Sequence, residues 1–253
     1  MGLEVRRFTD GVLLVTRPRL ARRDWLEIEK GLTAYAGFEH VAQLLRMYRV
    51  NCVLDVGANR GQYARRLRTA GYTGRIVSFE PVPEAFAELA RAAAGDPAWN
   101  VHRCALGRED GVTSINEVPG TLSSVLPPTP FGARRYARLR RPVAREVEIR
   151  RLDGMLDDAV RGLSPPRVYL KLDTQGYDIE VFAGLGDRVQ QLVAMQAEVA
   201  LMPIYQGMPR MPEAVAEYEA AGFEITALYP VSRERRTARV LEFDCVMVRA
   251  GSL

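Results

Sequence analysis

The chain predicts an α/β fold: a seven-stranded, mostly parallel sheet with an antiparallel last strand and helices on both faces. Three observations carry that expectation. Short apolar, β-branched runs alternate with helical patterns from residue 49 onward. The first run, Val53 to Val56, breaks into a glycine-containing turn, and a helical pattern starts at once from Tyr63. The last two runs, Glu224 to Tyr229 and Val240 to Val248, are joined by a polar, Arg-rich connection without helical spacing, so they should pair antiparallel.

Composition narrows the function classes. A chain of 253 residues can bury one sizeable core. Hydrophobic content of 47% and charged content of 26% fit a globular protein. No apolar run approaches the ~20 residues that a membrane-spanning helix requires. Met1 to Arg7 lacks the basic-then-apolar layout of a secretory leader, so a cytoplasmic location is expected. Cys52, Cys104 and Cys245 fall in predicted strands, far apart and without metal-ligand spacing, and read as reduced core thiols. The net charge is only +4, Lys30 and Lys171 are the sole lysines, and no aromatic-interleaved basic stripe appears. A nucleic-acid partner is therefore not expected.

Residues 4–16 alternate apolar and polar around Thr9-Asp10-Gly11, the pattern of a short hairpin. Helical spacing follows from Arg22 to Tyr48, first Trp25, Ile28, Leu32 and Tyr35, then Val41, Leu44, Leu45 and Tyr48. Residues 1–48 thus form a hairpin and helical cap ahead of a unit spanning 49–253; the helices either pack on the sheet edge or cover the site. In the first βα turn the order is Asp-x-Gly-x-Asn-x-Gly (Asp55, Gly57, Asn59, Gly61), not the Gly-x-Gly-x-x-Gly that cradles a pyrophosphate. Glycine is needed where the backbone takes φ > 0 or comes close to a ligand. Asp55 at the strand end suits a ligand bearing an ammonium group, of which S-adenosylmethionine is one.

The second strand, Gly74 to Pro81, ends in Glu80, 25 residues beyond Asp55. An acid at this place accepts hydrogen bonds from both ribose hydroxyls of an adenosine ligand. Val101 to Leu106 reads as a third strand whose end, Cys104, Ala105 and Leu106, would wall an adenine. Residues 112–146 are an irregular insertion holding an added strand (Val112 to Val118), the Gly120–Val125 stretch with Ser124, a Pro-rich segment and the arginines of 134–141. A loop this long inside a compact unit is functional or disordered; here it is expected to cover the site and meet the acceptor, with its arginines on a solvated face. Val147 to Arg150 alternates like an edge strand, and Leu152 to Arg161 is helical. Val168 to Asp173 is the fourth core strand and Leu192 to Val199, containing Glu198, the fifth. A helix from Met211 to Ala221 stops at Gly222.

Five segments in order resemble the FkbM-type branch of the S-adenosylmethionine-dependent methyltransferases: Asp55–Gly61, Phe79–Pro83, Ala105–Gly111, Leu152–Leu156 and Leu170–Asp178. The resemblance spans Val53 to Val248 and leaves the first 45 residues outside. It implies a Rossmann-like class I methyltransferase domain, S-adenosylmethionine as methyl donor, and a hydroxyl acceptor on a sugar or secondary metabolite. The last segment ends Gly-Tyr-Asp where many relatives have Gly-Tyr-Glu, which keeps the carboxylate and shortens its reach. Cofactor contacts are expected from Asp55, Gly57, Ala58, Asn59, Gly61, Tyr63, Glu80, Pro81, Cys104, Ala105, Ser124 and Asp173.

Methyl transfer to oxygen is an in-line displacement, so the protein must align acceptor, methyl and sulfur and help the hydroxyl lose its proton. Asp173, at the carboxyl end of the fourth strand, is the first candidate base. Lys171 lies two residues earlier on the same strand face and would either hold that acid ionised or form a structural ion pair. Glu198 is the alternative base or a hydroxyl-orienting acceptor. Asp178 reads as a first-turn helix residue, although Asp173, Asp178 and Glu198 together would suit Mg²⁺, an option considered and not preferred. His102 lies within a strand, and His40 as base is the weaker option. The oligomeric state is open, with a homodimer as one arrangement. Two other readings compete: a degenerate scaffold, against which the intact Asp55, Gly57, Gly61, Glu80 and Asp173 argue, and an NAD-dependent oxidoreductase, against which the glycine spacing and the antiparallel closing pair argue.

Overall fold

Residue alternation assigns each strand's two faces to two different cores, and the helices follow. The computed structural model describes residues 4–9, 12–16, 22–234 and 236–253, with side chains from Glu27 onward. Strands β1 (Glu4–Thr9) and β2 (Val12–Thr16) pair antiparallel as a small separate sheet; Asp10 and Gly11 of the expected turn lie outside the described residues. Helix α1 (Arg22–Met47) is one continuous helix where the sequence pattern suggested separate ones. Gly37 within it costs only about 1 kcal/mol of helix propensity, and it lets the Tyr229 ring come close: a Cβ there would lie 3.1 Å from that ring.

The βα units then follow: β3 (Cys52–Val56), α2 (Gln62–Thr69), β4 (Arg75–Phe79), α3 (Pro83–Ala93) and β5 (Trp99–His102). Strands β6 (Ala105–Gly107), β7 (Gly111–Glu117) and β8 (Val143–Arg151), with the short helix α4 (Pro130–Arg135) between the last two, form a separate three-stranded sheet ordered β6-β8-β7. The chain continues through α5 (Leu152–Val160), β9 (Val168–Leu172), α6 (Asp178–Ala183), β10 (Leu192–Ala200), α7 (Met211–Ala220), β11 (Phe223–Arg233) and β12 (Val240–Arg249). The main sheet runs β11-β12-β10-β9-β3-β4-β5. Strands β3, β4, β5, β9 and β10 are parallel, and β12 runs antiparallel to both β10 and β11, as the helix-free connection predicted.

Cys52, Leu54 and Val56 of β3 bury against the side covered by α5, α6 and α7, together with Leu152, Val181 and Tyr218. Val53, Ile76 and Tyr169 bury against the opposite side, with Val41, Leu44 and Leu45 of α1, Leu67 of α2 and Leu89 of α3. The second side also carries polar residues at the sheet's carboxyl edge, because Asp55 and Lys171 follow Val53 and Tyr169 at a spacing of two.

Two expectations need correction. The third strand is not continuous from Val101 to Leu106: β5 ends at His102, and the chain crosses to β6 at Ala105. As the edge strand, β5 has no further neighbour in the main sheet, and Ala105 packs instead with Val82, Ile115, Val147 and Ile149 in a satellite cluster. The insertion is also more ordered than its composition suggests. Its ends are β7 and β8, and the segment between them packs Val118, Leu122 and Leu139 against Ala200, Ile204, Tyr205 and Met208.

Candidate active site

The turn after β3 is dictated by a close approach. Gly57 has φ 78°, and a Cβ there would lie 2.0 Å from the carbonyl oxygen of Asp173. Only glycine lets the ends of β3 and β9 come so near. The N–H groups of Gly57 and Ala58 donate to Phe79 O at 3.1 and 3.0 Å, holding the turn against the end of β4. Asn59, also left-handed at φ 49°, turns its N–H onto Glu80 Oε2 at 2.8 Å, while Val82 N–H donates to Glu80 Oε1 at 2.8 Å. Burial pushes the Glu80 carboxyl up to about 7 against the pull of those two N–H bonds.

Glu80 lines a cavity at the carboxyl end of β3 and β4. Gly57, Asn59 and Asp173 border it on one side, and Pro81, Cys104, Ala105 and Leu106 on another. The inserted segment closes it from above through Val118 to Thr121, Ser123 and Ser124. Asn59 Nδ2 donates to Gly120 O at 3.0 Å, and Ser124 Oγ to Gln175 O at 2.8 Å, so this cover is tied to both turns beneath it.

A second cavity lies on the other side of the Gly57 turn. Thr33, Gly37, Phe38 and Val41 of α1 form its roof, Tyr63 and Tyr229 its sides, and Lys171, Asp173, Gln196, Glu198 and Asp244 its floor. Gly57, Gln62 and Asp173 border both cavities. The floor is a row of buried charges. Lys171 Nζ lies 3.0 Å from Asp173 Oδ2 and 3.7 Å from Asp55 Oδ1. Ser78 Oγ donates to Asp55 Oδ2 at 3.2 Å, and Trp99 Nε1 donates to Ser78 Oγ at 3.0 Å. Burial pushes the Asp55 carboxyl up while the Lys171 charge opposes it. Burial also works against the Lys171 ammonium, but Asp173 and Asp55 outweigh it and keep the lysine charged. Glu198 is pushed well above the carboxylate range by burial first and then by Asp173, Glu242 and Asp244. Gln175, left-handed at φ 55°, gives its Nε2 to Asp173 Oδ1 at 3.0 Å and to Glu198 Oε2 at 3.1 Å.

With this geometry in view, the family model for the methyltransferase FkbM domain matches residues 55–225. The chain belongs to the FkbM methyltransferase family. It is a methyltransferase, and S-adenosylmethionine is its methyl donor. No curated protein matches the chain with significant similarity. Solved structures of similar fold include magnesium protoporphyrin IX methyltransferase from Synechocystis PCC 6803 with bound SAM, at 11% identity and TM-score 0.47, covering 92% of this chain and 87% of that one. Another is 1,6-didemethyltoxoflavin-N1-methyltransferase from Burkholderia thailandensis with 1,6-didemethyltoxoflavin and S-adenosylhomocysteine, at 12% identity and TM-score 0.43, covering 97% and 99%. Family membership sets aside the scaffold and oxidoreductase readings. No described helix is long and apolar enough to cross a membrane.

The FkbM domain sorts the expected site residues between its two cavities. Gly57, Asn59, Glu80, Pro81, Cys104, Ala105, Ser124 and Asp173 border the first. Four expected cofactor contacts do not. Asp55 is fully buried in the sheet and turned toward Lys171. Gly61 serves packing: a Cβ there would lie 2.9 Å from the Trp99 ring. Ala58 and Tyr63 border the second cavity, where the Lys171 ammonium stands 5.1 Å from the Tyr63 ring centroid. The candidate catalytic residues Asp173, Lys171 and Glu198 do come together in the second cavity.

Asp178 is turned away, accepting from the Thr174 N–H at 2.8 Å and from the Thr174 hydroxyl, so it shapes the Thr174–Gly176 turn. Among the described residues no three acids, histidines or cysteines are placed to share a metal ion. His40 packs on the Tyr229 ring at 5.9 Å, and His102 stacks on Phe79 at 5.3 Å; neither borders the two cavities. The inserted segment covers the first cavity, and α1 lies over the second. Sequence reasoning missed Gln62 and Gln175. Both stand in the two glycine turns already singled out, directly beside Gly61 and Gly176, which was the available signal.

Proposed function

We propose that the protein is an O-methyltransferase that methylates a hydroxyl of a small molecule bound beneath α1. One observation carries the reading: two cavities of different character meet at Gly57, Gln62 and Asp173. The first suits the donor. It has apolar residues such as Phe79, Val82 and Leu106 beside Glu80, its turn leaves no room for a Cβ at Gly57, and each Glu80 oxygen keeps a lone pair beyond its backbone bond for a ribose hydroxyl. The second suits an acceptor, with aromatic sides and carboxyls on its floor.

S-adenosylmethionine supplies a methyl group activated by its sulfonium charge. Asp173, bordering both cavities, takes the proton of the acceptor hydroxyl as the oxygen–carbon bond forms and the carbon–sulfur bond breaks, its electron pair going to sulfur. Lys171 holds one Asp173 oxygen at 3.0 Å, which fixes the orientation of that carboxyl. Asp55, with Ser78 and Trp99 behind it, anchors Lys171. Glu198 orients the acceptor.

Incubating the protein with methyl-labelled S-adenosylmethionine and host-cell extract, then identifying what carries the label and through which atom, tests the reading. Label on the oxygen of a small metabolite is the expected result. Label on nitrogen, carbon or a macromolecule would sink it.

A further inference from the structure

Gln175 was assigned no role by its residue type, yet it borders the first cavity and reaches both Asp173 and Glu198 on the floor of the second. Its amide has two hydrogens, and one goes to each of the two acids on the cavity floor: Asp173 Oδ1 at 3.0 Å and Glu198 Oε2 at 3.1 Å. Carboxylate oxygens only accept, so the amide nitrogen must face them. With Lys171 on the second Asp173 oxygen, both oxygens of that acid are fixed. Among the described residues Glu198 accepts a side-chain hydrogen bond from Gln175 alone. The glutamine is itself held. Its carbonyl accepts from Ser124 Oγ at 2.8 Å, and its amide oxygen lies 3.4 Å from the Tyr205 hydroxyl, which donates to Leu122 O at 2.8 Å. Ser124 and Leu122 belong to the cover of the donor cavity, so one residue joins that cover to both acids.

We propose that Gln175 is the positioning residue of the methyl-transfer step, locking Asp173 and Glu198 in a fixed relation by giving one amide hydrogen to each. The inference rests on the reading of Asp173 as the base. Charged and titratable groups surround the pair on every side: Asp55 from β3, Lys171 from β9, Glu242 and Asp244 from β12, Asp178 from α6, and Tyr63 and Arg66 from α2. With Lys30 of α1 also lining this cavity, four further carboxyls face two lysines and one arginine there. A neutral double donor holds two of the acids together without adding charge, which neither a carboxylate nor a cation at this position can do.

The test compares the full-length wild type with Gln175→Met, Gln175→Glu and Asp173→Asn, all with S-adenosylhomocysteine affinity measured by calorimetry. Label transfer into host-cell extract is followed over an extract dilution series and across pH. Gln175→Met should lower kcat on the order of 10²-fold, with the affinity for S-adenosylhomocysteine and the apparent KM for extract unchanged. Gln175→Glu should be inactive at high pH and recover in part as the pH falls, because the protonated side chain again offers Asp173 one hydrogen. A second arm needs no acceptor: carboxyl ¹³C NMR of the S-adenosylhomocysteine complex, in which Glu198 should keep its proton to higher pH in Gln175→Met than in the wild type, because it loses the amide hydrogen bond. Wild-type turnover in Gln175→Met, an unaltered carboxyl titration, or loss of S-adenosylhomocysteine binding in step with turnover would each overturn the inference. An active Asp173→Asn enzyme overturns the base assignment as well. An inactive Asp173→Asn beside a fully active Gln175→Met removes the role of Gln175 alone.

Discussion

The two cavities are built by opposite means. The first cavity, which we assign to the donor, is shaped by backbone: left-handed turns at Gly57 and Asn59, N–H groups aimed at one acid, and a cover tied down by carbonyl contacts. The second, which we assign to the acceptor, is made of side chains: a roof of helix residues over a floor of acids and a lysine, linked by ion pairs and one amide. Backbone geometry tolerates little change, because a Cβ at Gly57 would sit on the Asp173 carbonyl. Side-chain geometry can be altered one residue at a time. The first design suits a ligand that never varies, and the second a ligand that differs between enzymes.

Substitutions can break this division of labour, and the largest effect should come from the residue the cavities share. Asp173→Asn is expected to cut turnover by about 10²–10⁴-fold while calorimetry with S-adenosylhomocysteine shows wild-type affinity; parallel loss of both would merge the two cavities into one functional unit. Glu80→Ala should weaken donor binding by about 10- to 100-fold, the cost of removing a buried charged acceptor, with kcat near wild type at saturating donor. Phe38→Ala should raise the apparent KM for extract several-fold and leave donor affinity untouched, since Phe38 roofs only the acceptor side.

A pH dependence distinguishes the donor side in a different way, through stability. The Glu80 carboxyl is raised from about 4.5 to about 7, so the native state holds a proton that the unfolded chain has released. Its stabilising contribution is full below about 4.5 and is lost as pH rises through about 7, on the order of 3 kcal/mol. Thermal melting of wild type and Glu80→Gln between those pH values should show it as a decline that is steeper in the wild type than in the variant. Affinity for S-adenosylhomocysteine should move the other way in the wild type, strengthening as Glu80 ionises and its oxygens become full acceptors; a flat profile would mean that Glu80 does not bind the ribose.

Much of the first cavity's lining could be named from the sequence because its parts are contiguous. Gly57 and Asn59 follow β3, Glu80 and Pro81 follow β4, and Cys104 follows β5, and the order of βα units places those ends side by side. The misreadings came from orientation. Asp55 lies two residues after Val53 and so shares its face; the pleat points it along the sheet toward Lys171 rather than into the turn. Tyr63 is the second residue of an eight-residue helix, too short for its pattern to show which cavity it faces. The broken third strand followed from β5 being the edge of the sheet, which depends on the arrangement of all seven strands. The acceptor side was legible only as separate residues. Asp173, Lys171 and Glu198 could be named, but their meeting beneath α1 depends on a helix more than a hundred residues earlier in the chain, and no local pattern records such a contact.

The roof residues from Thr33 to Val41 lie upstream of residue 55, where the match to the FkbM domain begins. If the acceptor binds beneath α1 as proposed, the roof over it and the machinery that moves the methyl group are inscribed in different stretches of one polypeptide. Evolution, or a designer exchanging N-terminal segments between relatives, can retarget the enzyme by editing the front of the gene while the reaction engine behind it stays as it is.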